Sequence, residues 1–202
     1  MSPMKSWQSY LDHHLDILGQ DSTRESGSKI DSIAERIVER LVKGGKIVVA
    51  GNGGSASDAN HIVGELMASF AHTRPGIRAL SLVSNSSMLT AWTNDYEFET
   101  VFSRQIESLC EANDCVILIS TSGASKNIVN AAISARAAGS FIVALTGQSP
   151  NALSALADET LSVDSTFTPT VQEAHEVYYH YLCLTLEKQY IAKMEYPLVP
   201  RY

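Results

Sequence analysis

Cysteine is scarce in this chain, with three in 202 residues, Cys110, Cys115 and Cys183, and no CxxC pair among them. A sparse, odd set fits free thiols in a reducing compartment and argues against a disulfide framework, so the expected location is the cytoplasm. Long hydrophobic runs are missing too. No stretch approaches the ~20 apolar residues a membrane helix needs, and Asp12, His13 and His14 stand where a signal peptide would be apolar. Charge is modest: 18% of residues are charged, the net charge is −7, and acids and bases are interspersed. Without clustered Lys and Arg the chain lacks the footprint of nonspecific nucleic-acid binding, although a local phosphate site stays open. Neither nucleic acid nor a membrane is an expected partner.

What is present is enough apolar material, 45% of the chain, to bury one core. One domain is expected over residues 1–202, with helices in 1–45 ahead of an α/β core in 46–190. Trp7, Tyr10, Leu11, His14, Leu15 and Leu18 recur at helical spacing, a polar break runs from Gln20 to Ser28, and Ile30, Ile33, Ile37, Val38, Leu41 and Val42 stripe a second helix that Gly44 and Gly45 end. The period then changes. Short apolar runs at 47–50, 79–83, 116–119, 141–145 and, weakly, 160–163 alternate with helical patterns, which predicts a doubly wound parallel sheet covered on both faces. A last helix is expected over about 170–188, before an irregular tail.

Two strands run into chemically distinctive turns. After the first comes Gly51-Asn52-Gly53-Gly54-Ser55-Ala56-Ser57-Asp58, where glycines let backbone amides at a helix start approach an anion. An ordinary tight turn explains it as well, and it is neither a dinucleotide fingerprint nor a P-loop. After the third comes Ser120-Thr121-Ser122-Gly123-Ala124-Ser125, four hydroxyls in six residues. A helix cap needs one hydroxyl, so four at a strand's C-terminal edge point to a phosphate monoester. Lys126 follows, either adding charge or simply solvated.

His61 and Glu65 are four apart, on one helix face, with Cβ atoms ~5–6 Å apart. They can chelate a metal, act on one substrate, or form a bland surface hydrogen bond. On the last helix Gln172, Glu176, Tyr179, His180 and Cys183 share a broad face, which needs partners from a site or from a subunit interface.

In order and spacing, GNGGSASDANHIVGEL, NDYEFETVFSRQIESL, STSGASKNIVNAA, ALTGQSPNALSALAD and VQEAHEVYYH resemble successive blocks of the phosphoheptose isomerase branch of the SIS (sugar isomerase) proteins, over residues 46–187. The resemblance implies a five-stranded parallel sheet flanked by helices, N-terminal helices used in oligomerisation, and a homotetramer with active sites between subunits. It implies an aldose–ketose isomerase acting on D-sedoheptulose 7-phosphate. Asn52, Gly53, Gly54, Ser55, Asn94, Asp95, Ser120, Thr121, Ser122, Ser125, Gln172 and Glu65 would bind substrate. His61, Glu65, Gln172 and His180 would hold one zinc ion per subunit, and Glu65 and His180 would move the proton. A SIS isomerase for another phosphosugar, or a SIS protein that only binds a partner, are the alternatives; the presence of both Glu65 and His180 favours an enzyme. Two positions depart from the family pattern. Ser69 stands where many relatives have arginine, and Pro169 precedes Thr170-Val171-Gln172 where an aspartate–arginine pair is usual.

Overall fold

The computed structural model describes residues 6–20, 23 and 25–201. Helix α1 (Trp7–Gly19) starts at a capping box in which Ser6 and Ser9 exchange side-chain and backbone hydrogen bonds. Helix α2 (Ser26–Val42) buries Ile30, Ile33, Ile37, Val38 and Leu41 of the stripe read from the sequence, while Val42, its last residue, is 45% exposed. It begins inside the expected polar break, of which Asp21, Ser22 and Arg24 lie outside the described residues. Gly44, at φ +89°, makes the left-handed turn that leads out of this helix.

The remaining elements in chain order are β1 (Ile47–Gly51), α3 (Gly54–Met67), β2 (His72–Thr73), β3 (Ala79–Ser81), α4 (Ser86–Asp95), a 3₁₀ turn (Phe98–Thr100), α5 (Val101–Leu109), β4 (Cys115–Ser120), α6 (Lys126–Ala137), β5 (Phe141–Thr146), β6 (Glu159–Ser162), α7 (Thr168–Lys193) and β7 (Val199–Pro200). Five strands form one sheet in the order β3-β1-β4-β5-β6, every pair parallel. The strand order reverses at β1, where the chain crosses to the other side of the sheet.

The apolar runs lack polar alternation because both faces are covered. Ile47, Val49, Ile117, Ile119, Val143 and Leu145 pack with α2, α3 and α7, whereas Val48, Ala50, Val116, Leu118, Ile142 and Ala144 pack with α5 and α6. The edge strands β3 and β6 are shorter and less buried; β6 matches the weak run at 160–163, and β3 ends at Ser81, short of the run expected to Val83.

Helix α7 is longer than its apolar stripe predicted, extending at both ends. Pro169 occupies its first turn, where a missing N–H costs no hydrogen bond, and Ile191 is still buried near its far end. The tail is ordered beyond it: β7 pairs antiparallel with β2. No helix among the described residues is long and apolar enough to cross a membrane.

Candidate active site

At the C-terminal edge of the sheet, β1 and β4 open into a cavity of about 290 Å³ lined by Gly53, Gly54, Ser55, Ser120, Ser125 and Gln172, together with Asn52 and Thr121. Gly53 sits at φ +57° and ψ −120°, a conformation that a side chain would resist, and it turns the chain directly into α3. At Gly54 a Cβ would collide with the amide nitrogen of Gln172, so glycine is what lets that side chain lie across the loop. Asn52 is fixed by a reciprocal pair of 2.8 Å hydrogen bonds with Asn127, which ties the first loop to the start of α6.

Helices α3, α6 and α7 all begin at this cavity, and none has a side-chain cap. Their first-turn amides and aligned dipoles therefore address the cavity itself, each favouring an anion by about 0.3–1 kcal/mol. Ser120 and Ser125 hold each other, Oγ to Oγ, at 3.1 Å. Ser122 is the exception in the hydroxyl run. Its Oγ accepts from the Ala124 N–H, and it faces an adjoining cavity of about 240 Å³ with Thr166. Lys126 turns away, 80% exposed and 3.9 Å from Glu99, so the described lining holds no basic side chain. Asn94 donates to Asp95 at the exposed end of α4, and neither lines the cavity within one chain.

The second cluster lies where α3 runs against α7. His61 Nε2 is 3.2 Å from Glu65 Oε1 and 3.4 Å from His180 Nε2. The ring of Phe70 stacks on His180 at 5.8 Å. One nitrogen or oxygen from each of His61, Glu176 and His180 falls within 4.8 Å of the others. Atoms bound ~2 Å from a tetrahedral ion stand about 3.3 Å apart, and imidazole and carboxylate are zinc-type ligands, so these residues fit a divalent metal.

The sequence reading placed Gln172 among the metal ligands. The structure brings its amide to Gly54 in the cavity instead, because Gln172 lies eight residues and ~12 Å of helix rise from His180. Glu176, one turn from His180, comes to the histidines. The sequence had singled out Glu176 as a polar residue on this face without giving it a role; its i, i+4 spacing to His180 was the available signal.

A buried ion pair steadies the end of α3. Glu187, fully buried, accepts from the amides of Phe70, Ala71 and His72 and from Arg74 Nε at 3.0 Å. Arg74 in turn donates to the carbonyls of Glu65 and Leu66, the last turn of the helix that carries His61 and Glu65. Burial alone would raise the Glu187 carboxyl, but the His72 side chain, the Phe70 and Ala71 amides and Arg74 override it and hold it below the ordinary range. Ser69, the departure noted above, offers its carbonyl to Arg201 Nη1 of the C-terminal tail at 2.6 Å.

A parallel sheet whose switch-point edge carries three uncapped helix ends and a hydroxyl-lined cavity defines an anion-binding α/β domain. The SIS-domain family model matches residues 9–147. The probable phosphoheptose isomerase of Thermoplasma acidophilum is 43% identical over 162 residues, covering 80% of this chain and 89% of that one. The phosphoheptose isomerase of Trichlorobacter lovleyi is 42% identical over 178 residues, covering 88% and 90%. Among solved structures, the phosphoheptose isomerase of Neisseria gonorrhoeae superposes with a TM-score of 0.83 at 31% identity, over 90% of this chain and 96% of that one. The chain belongs to the SIS-domain family, in its phosphoheptose isomerase branch.

Proposed function

We propose that this chain isomerises D-sedoheptulose 7-phosphate to D-glycero-D-manno-heptose 7-phosphate through an enediol or enediolate. One observation carries the reading: α7 presents Gln172, Glu176 and His180 one turn apart, and so runs from an anion cavity straight to an acid–base cluster. A phosphosugar held by its phosphate at the three helix ends can lay its carbonyl end toward Glu65 and His180.

The chemistry needs a proton moved between C1 and C2. In this reading a Glu65 carboxylate oxygen takes the proton from one carbon, and His180 exchanges a proton at the neighbouring oxygen or carbon. Asn52, Gly53, Gly54, Ser55, Ser120, Thr121, Ser125 and Gln172 bind and orient, while Ser122 shapes the loop beneath them. A divalent zinc ion held by His61, Glu176 and His180 would supply a Lewis acid that polarises the substrate's oxygens. With Glu176 as the carboxylate ligand, Glu65 is free to act as base.

The assembly is a homotetramer with sites between subunits. Its support is the turn after α4, where Tyr96 and Phe98 are 62% and 49% exposed beside the exposed Asn94 and Asp95. In the tetramer Asn94 and Asp95 reach the substrate from a neighbouring copy. The three thiols, all free, fit the cytoplasm.

The test is turnover of sedoheptulose 7-phosphate by the purified chain with and without Zn²⁺, beside Glu65→Gln and His180→Gln. The expected result is activity in the wild type and a loss of about 10²–10⁴-fold in kcat for Glu65→Gln. No turnover by the wild type sinks the heptose reading, and turnover that survives both substitutions sinks the assignment of the proton carriers.

A further inference from the structure

The loop after α3, residues 68–71, has no regular structure, yet its backbone is tied along both edges. Inward, the consecutive amides of Phe70, Ala71 and His72 converge on the buried Glu187 carboxylate. Outward, the ties come from the C-terminal tail. Arg201 Nη1 donates to the Ser69 carbonyl at 2.6 Å, and the Arg201 N–H donates to the Ala71 carbonyl at 3.0 Å. Just beyond, β7 pairs with β2, Pro200 against His72 and Val199 against Thr73. Residue 201 thus brackets residue 70, binding the carbonyl before it and the carbonyl after it. Phe70 is the residue whose ring lies over the His180 imidazole, 5.8 Å between centroids and 19° from parallel.

The return of the tail to this loop is built into the end of α7. His180 lies 13 residues before Lys193, the last residue of that helix, which is ~20 Å of helix rise. Residues 194–201 can span ~26 Å when extended, enough to retrace that distance and little more. The reversal is made at Glu195, whose φ of +56° puts a side-chain-bearing residue in the left-handed region. Such a residue persists where its surroundings hold it. Here the Tyr196 N–H donates to the Ile191 carbonyl at 3.0 Å, and the Tyr196 ring meets Tyr190 edge-on.

We propose that the C-terminal tail is a strap that holds Phe70 against His180 through Arg201, so that Arg201 and Phe70 are positioning residues for proton transfer. With the strap in place, the Phe70 ring covers one face of the imidazole and fixes the orientation that turns Nε2 toward His61 at 3.4 Å. Without it the outer edge of the loop is released, and the imidazole gains room to turn. The inference rests on the reading of Glu65 and His180 as the proton carriers. A 1 Å misplacement of a reacting group can cost ~10²-fold in rate; a loop that Glu187 still holds on its inner edge is expected to lose less, about tenfold.

The first test is a double-mutant cycle in the full chain, with sedoheptulose 7-phosphate as substrate. Arg201→Ala lowers kcat about tenfold with KM changed less than about twofold, and Arg201→Lys, which keeps a donor for the Ser69 carbonyl, recovers most of the loss. Phe70→Leu combined with Arg201→Ala loses no more than Phe70→Leu alone, because both changes act on the same ring. Losses that multiply, or wild-type kcat in Arg201→Ala, overturn the proposal. The second test needs no turnover. In the metal-free protein, the NMR signals of the His180 ring protons, identified by their absence from His180→Gln, carry the shift that a stacked aromatic ring imposes, and Arg201→Ala removes it. His180 signals unchanged between wild type and Arg201→Ala overturn the strap. If Phe70→Leu fails to fold, this comparison decides. If the wild type turns over no sedoheptulose 7-phosphate, the proton-carrier reading fails, and the ring-proton comparison still decides whether the tail holds Phe70 on His180.

Discussion

The cavity at the strand ends and the histidine cluster share one helix, α7, yet they are made of different material. The cavity is backbone: glycine turns, helix ends without side-chain caps and short hydroxyls, all within a few residues of β1 and β4. The cluster is side chain: two imidazoles and two carboxylates from α3 and α7, with His61 and His180, 119 residues apart in sequence, meeting at 3.4 Å. A backbone site is indifferent to most substitutions and vulnerable where a Cβ would intrude. A side-chain site depends on whatever holds its helices in place, so it can be damaged from a distance.

The largest expected effect tests that remote dependence. Glu187→Gln removes the charge from a fully buried carboxylate and leaves Arg74 buried without its counter-ion, which costs about 3–5 kcal/mol. Denaturant melts read the loss, and because Arg74 also holds the carbonyls of Glu65 and Leu66, activity falls before the fold does, with little change at the cavity. The pH dependence has a definite sign. The folded Glu187 carboxyl is held below its ordinary value of 4.5, so the unfolded chain takes up the proton first. The stabilisation is complete above that value and is lost as pH falls through the folded one. Wild type therefore carries an acid-side loss of stability that Glu187→Gln lacks. Equal acid profiles in the two proteins would break the distinction.

A second, smaller effect probes the cavity where it is vulnerable. In Gly54→Ala the new Cβ meets the amide end of Gln172, the tip of a flexible side chain that can swing away at small cost to the fold. The backbone is not in the left-handed region there, and alanine suits a helix start at least as well as glycine. Stability is then expected to hold within about 0.5 kcal/mol while KM rises about tenfold, close to 1.4 kcal/mol, with kcat affected less. A fall in kcat with KM unchanged would place Gln172 with the reacting atoms and merge the two regions.

The same contrast governs what could be read from the sequence. The sheet was legible because strands buried on both faces are continuous apolar runs, and the expected run at 141–145 differs from β5 only by Thr146, which is itself fully buried. The cavity was legible because its parts are local: Gly53, Gly54, Ser120 and Ser125 declare themselves within two short turns. Ser122 was drawn in by composition and by the family resemblance, and the turn geometry puts its hydroxyl on the Ala124 amide. The cluster was half legible. Spacing pairs His61 with Glu65, but whether Gln172 or Glu176 joins them depends on how far α7 slides along α3, a tertiary quantity with no local signature. The tail strand β7 and its contact from Arg201 to Ser69 were hidden for the same reason.

The smallest expected effect is the one that most sharply defines the cavity. Lys126 is the basic residue nearest to the hydroxyl loop in sequence, and a phosphate site read from sequence alone would invite it in. In the structure its side chain is 80% exposed and 3.9 Å from Glu99, an exposed pair of the sort worth about 0.2–1 kcal/mol at most. If the phosphate is held by helix ends and hydroxyls, Lys126→Ala changes KM by less than about twofold, within the reach of a screened surface charge. Raising the ionic strength should then weaken binding no more in wild type than in the variant. A tenfold rise in KM for Lys126→Ala, abolished by salt, would mean that the lysine swings in when substrate arrives and that the cavity, like the cluster, is completed by a side chain.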